Sequence, residues 1–106
     1  MSTEPLFTIP RFLRTPIVVR AETIEIKGRQ FGFATLGLIR LHMVTIPGAV
    51  MPSLKFTIDL CDKQKAVVES LSTGGVNREE AKRLASTLEE VAKASYPTLQ
   101  VFFRNQ

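Results

Sequence analysis

The stretch NREEAKRLASTLEEVAKAS, residues Asn77 to Ser95, predicts one strongly amphipathic helix, and its reading decides the fold. Ala81, Leu84, Ala85, Leu88, Val91 and Ala92 recur three and four positions apart, which aligns them as one apolar stripe on a helical surface. Asn77 stands where an N-cap belongs, and Glu80 occupies the third helical position. Together they form a capping box, in which side chain and backbone satisfy each other's free amide groups. Glu79 precedes Arg83, and Glu89 precedes Lys93, by one helical turn, the spacing of solvated ion pairs on a polar face. Pro97 ends the helix. A helix with a single apolar stripe needs an apolar surface to cover, and the rest of the chain supplies one.

Leu54, Phe56, Ile58 and Leu60 alternate with Lys55, Thr57 and Asp59, the period of a strand with one face in the core. From Leu38 to Ile46 the same alternation sets Ile39, Leu41 and Met43 against Arg40 and His42. Between these strands, Pro47, Gly48 and Pro52 predict an irregular loop. Nearer the N-terminus, Ile17 to Val19 and Thr23 to Ile26 carry β-branched residues. Lys27-Gly28-Arg29 then predicts a hairpin turn, with Gln30 to Phe33 extended beyond it. The first fifteen residues mix Pro5 and Pro10 with Leu6, Phe7, Ile9, Phe12 and Leu13, the texture of an extended arm lying on the domain.

Between the clearest strand and the main helix, Asp62 reads as the N-cap of a short helix running to about Leu71, with Gly74-Gly75 as the break between helices. Beyond Pro97, Leu99, Val101 and Phe103 alternate with Gln100 and Arg104 in a closing strand. The expected fold is thus α+β: an antiparallel sheet of about four to five strands, two C-terminal helices packed on one face, and a closing C-terminal strand. The expected organisation is a single domain over 1–106, with an arm at 1–15, antiparallel strands at 16–60, helices at 62–95 and the final strand at 98–104.

A chain of 106 residues that is 44% hydrophobic and 23% charged is long enough to bury a core and too weakly charged for disorder. No apolar run approaches the length of a membrane span, so a cytoplasmic protein without membrane attachment is expected. Cys61 is the lone cysteine and His42 the lone histidine. No metal site, cofactor or catalytic constellation is expected from them. The net charge of +4 lies mostly in the first half: residues 1–53 hold six basic and three acidic side chains, residues 54–106 eight and seven.

Two surfaces stand out as functional candidates. Met43, Val50 and Met51 around the proline loop, with Phe7 and Phe12 in the arm, offer adaptable apolar side chains to a protein partner or a second copy. The second is RQFGFATL, residues 29–36, in which Arg29, Phe31, Gly32 and Phe33 resemble the aromatic strand motif of RNA-recognition and cold-shock domains. Gln30 replaces that motif's second-position glycine and Leu36 its final aromatic. The resemblance implies base stacking on Phe31 and Phe33, with Arg11, Arg14, Lys27, Arg29 and Arg40 meeting the phosphates of single-stranded RNA or DNA. With no catalytic group singled out, the first expectation is a non-enzymatic protein-binding module: an inhibitor, adaptor or assembly subunit, its bacterial or phage type suggested by compactness alone. A single-stranded nucleic-acid binder is the second, and a small enzyme without a recognisable motif the third.

Overall fold

The computed structural model describes residues 4–11 and 14–105. The first sheet is an antiparallel meander in the order β1-β2-β3-β4, built from β1 (Phe7–Arg11), β2 (Arg14–Val19), β3 (Thr23–Ile26) and β4 (Arg29–Gly32). The N-terminal stretch read as an arm is therefore a sheet edge, with Phe7 opposite Val19 and Ile9 opposite Ile17. The turn at Gly28 is the two-residue hairpin expected: Ile26 pairs with Arg29, and Lys27 and Gly28 take φ of 53° and 74°. Both central residues of a type I′ turn need positive φ, which glycine adopts without steric cost.

A 3-10 turn, Phe33–Thr35, carries the chain into the second sheet. Its strands are β5 (Leu36–Ile46), β6 (Ser53–Asp62), β7 (Val67–Thr73) and β8 (Gln100–Asn105), in the order β7-β6-β5-β8. The helix α1 (Arg78–Ser95) joins β7 to β8, and the capping box is formed: Asn77 accepts from the Glu80 amide, and Glu80 accepts from the Asn77 amide.

The single sheet of about four to five strands expected is instead two four-stranded sheets, and two expectations about the second half are also corrected. The segment 62–71 is a hairpin and a strand, so α1 is the one α-helix among the described residues. The Asp62 carboxylate does accept from free amides, those of Gln64 at 2.9 Å and Ala66 at 3.0 Å, but it closes a tight loop with Lys65 at φ 66° instead of opening a helix. A carboxylate that caps a helix also caps a turn, and the β-branched Val67, Val68 and Thr73 then favour the strand that completes the free edge of β6. Nor is the sheet wholly antiparallel, because β8 runs parallel to β5. A helical crossover from β7 returns the chain in the same direction as β7 and β5, which is what a parallel neighbour requires.

The two sheets and the helix share one core. Ile9, Ile17, Val19, Ile24 and Ile26 from the first sheet meet Ile39, Leu41, Met43, Phe56, Ile58 and Leu60 from the second, under the expected stripe of α1. No helix among the described residues is long and apolar enough to cross a membrane.

Candidate interaction surface

The β5–β6 hairpin is the longest feature of the molecule, paired continuously from Ile39–Leu60 to Ile46–Ser53. Its last fully buried pair is Met43–Phe56. Leu54, opposite Thr45, still packs half-buried against the core, so the Ile46–Ser53 pair and the loop are what lie beyond it. The loop runs from Pro47 to Pro52. Val50 is 94% exposed at its tip and Met51 74%, with Ile46 exposed on the adjoining strand.

Local sequence makes this tip stiff. Pro47 and Pro52 fix one backbone torsion at each end of the loop. Between them Gly48 lies so close to the Met51 carbonyl that a Cβ would collide with it, so the turn has been closed as tightly as a glycine permits. Arg78 braces the base of the hairpin, donating to the Thr45 hydroxyl at 2.6 Å and to the Asn105 side chain. Two apolar side chains are thus displayed on a preordered support, which lowers the entropy lost when a partner covers them.

Of the residues expected to bind a protein partner, the structure brings Val50 and Met51 together. Met43 is fully buried, in line with Ile39 and Leu41, and belongs to the core. Phe7 is half-buried at the sheet edge, with the Arg83 guanidinium 5.3 Å from its ring centre. Phe12 lies outside the described residues.

The residues of the nucleic-acid candidate take other partners. Phe33 leaves the strand at the 3-10 turn and is 1% exposed, its ring 5.6 Å from that of Tyr96, so neither of its faces is open to a base. Phe31 packs half-buried against the core, with the Arg29 guanidinium 5.2 Å above it. Lys27 and Arg29 each meet a carboxylate oxygen of Glu69 on β7, both at 3.2 Å, which ties the β3–β4 turn to the second sheet. Arg40 pairs with Asp59 at 3.4 Å, and Asp59 also accepts from the Ser70 hydroxyl at 2.6 Å. The side chains of Arg11 and Arg14 lie outside the described residues. Glu69 is the residue that sequence reasoning passed over. The Ser70 amide holds its carboxyl below the ordinary carboxylate range, Lys27 and Arg29 reinforce this, and burial opposes it.

The open face of the second sheet carries the remaining polar groups. Thr57 and Ser72 share a hydrogen bond at 3.2 Å opposite His42, whose Nε2 is buried without a hydrogen-bond partner. Cys61 is a buried free thiol. Among the described residues, no three His, Cys, Asp or Glu side chains are placed to hold a metal ion.

Comparisons with protein-family models, curated proteins and solved structures find no match to this chain.

Proposed function

We propose that the chain is a non-enzymatic protein-binding module whose contact element is the tip of the β5–β6 hairpin. The observation that carries this reading is the exposure of Val50 and Met51 side by side on a proline-bracketed loop held clear of the core. Isolated apolar residues are common on protein surfaces, but a pair fixed at the end of a braced projection has no packing purpose within its own chain. Methionine adds an unbranched, polarisable side chain that adapts to a partner's groove. In this reading the module is an inhibitor, adaptor or assembly subunit that inserts the tip into an apolar pocket on its target. The nucleic-acid reading draws less support, because one of its rings is buried and three of its cations are engaged by carboxylates.

A photo-crosslinking amino acid at Ala49, beside the two side chains, tests the proposal in extract from the source cells. The expected result is one discrete protein adduct that disappears in the Val50→Asp/Met51→Asp variant while the thermal midpoint stays unchanged. An adduct pattern indifferent to that double substitution, or none, overturns the assignment of the tip. Retention of labelled single-stranded RNA or DNA at low salt, lost as salt rises, would replace it with the nucleic-acid reading.

A further inference from the structure

Strand β8 is an edge of the second sheet, bonded to β5 on one side only. A hollow lies against each of its faces, the one on the outer face lying over the β5–β8 pair. On the helix side, a groove between α1 and β8 has Ala92, Leu99 and Val101 as its apolar floor, with Glu89, Glu90 and Lys93 among its lining. On the opposite face, Phe102 is 56% exposed in a shallower hollow shared with Leu38, Arg40 and Gln100. The consecutive Phe102 and Phe103 put one ring on each face, and only Phe103 packs against the core.

An unpaired strand flanked by hollows on both faces is shaped for one more strand, whose side chains fall alternately to either side. Charge indicates which strand. Glu89 and Lys93 are exposed one helical turn apart along the same groove, a pattern that is its own complement when reversed. Isologous contacts reverse it, since a two-fold axis sets residue i of one copy against residue j of the other and j against i, with a residue on the axis meeting itself.

We propose that this chain forms a two-fold dimer by antiparallel pairing of β8 with β8 of a second copy. The second sheets then join into one eight-stranded sheet, and the two α1 helices lie side by side in opposite directions. Glu89 of each copy faces Lys93 of the second copy, and the two Phe102 rings cover each other on the opposite face. The dimer covers the β8 edge and leaves β7 as the edge at each end of the joined sheet.

Light scattering on size-exclusion eluates, from micromolar to near-millimolar protein, tests the proposal. The wild type is expected to run as a dimer at the higher concentrations, and Phe102→Asp to weaken dimerisation on the order of 100-fold with an unchanged circular-dichroism spectrum. Lys93→Glu and Glu89→Lys are each expected to favour the monomer, because each creates two like-charge contacts across the axis. Mixed together, those two variants are expected to form heterodimers, since every contact between them again joins opposite charges. A wild type that stays monomeric throughout overturns the proposal. So does a dimer that survives Phe102→Asp, or a mixture of the charge variants that does not associate.

Discussion

At the scale of single residues, Glu69 ties the β3–β4 turn of the first sheet to β7 of the second. Its carboxylate receives the Ser70 amide at 3.0 Å and both cations of the β3–β4 turn, so one side chain closes a contact between segments some forty positions apart in sequence. Folding favours its charged form, since its carboxyl is held below the ordinary range. The stabilisation is therefore present at neutral pH, above the unfolded carboxyl value, and is lost as pH falls through the folded value. In urea melts between about pH 7 and about pH 3, the wild type should lose more stability than Glu69→Gln. The difference is expected to be about 1 kcal/mol or less, because the Lys27 and Arg29 side chains are 48% and 67% exposed and solvent screens them. Parallel pH profiles for the two proteins would remove Glu69 from this role. Residue identity also explains why Gly48 and the two prolines around it matter more than their exposure suggests. They fix the direction in which Val50 and Met51 point.

Elements differ in how far their sequences specify them. For α1, cap, stripe and stop signals all agree, and its bounds follow the reading from Asn77 to Ser95. The segment 62–73 carries a single start signal, Asp62, that serves a hairpin as well as a helix. Its alternation of Glu69, Leu71 and Thr73 inward with Ser70 and Ser72 outward is too polar to announce a strand. What settled it was a distant demand, the unpaired edge of β6, which local sequence does not display. Two substitutions separate the two uses of a cap. Asn77→Ala should destabilise the protein by about 1 kcal/mol through the start of α1. Asp62→Ala should cost about as much through the two lost amide contacts. Its signature is faster hydrogen exchange in β6 and β7 with the helical circular-dichroism signal intact, whereas a fall in that signal would contradict the hairpin. The candidate surfaces follow the same division. The exposure of Val50 and Met51 was legible because prolines mark the loop that carries them, whereas Met43, grouped with them in the sequence reading, is core, as its alternation in phase with Ile39 and Leu41 indicates. Phe102 gave no such sign, since only the pairing of β8 with β5 decides which ring of the Phe102–Phe103 pair faces outward.

For the whole molecule, the two proposed surfaces are linked through strand direction. The described residues span 47 × 27 × 21 Å, and the β5–β6 hairpin projects beyond the core with β8 running parallel to β5, Asn105 beside Met43. Antiparallel pairing of two β8 strands therefore directs the two hairpin tips away from each other, one at each end of the joined sheet. A dimer of this kind presents Val50 and Met51 twice, facing opposite ways, and bridges two partner molecules instead of gripping one from both sides. The separation follows from the register. With the two Phe102 residues opposite each other the axis passes at Phe102, beside Arg40, so about six strand residues and the loop separate it from each tip. At about 3.3 Å per residue the two tips are then on the order of 50 Å apart. Spin labels at Val50→Cys, with the buried Cys61 replaced by serine, report that distance by pulsed electron resonance. The expected distribution is a single long-distance population that vanishes in Phe102→Asp. A population at roughly 20 Å or less, on the order of six strand residues, would instead place the tips together at the dimer contact. The exposed methionine and valine would then be the glue between copies, with no pair of sites left open to partners.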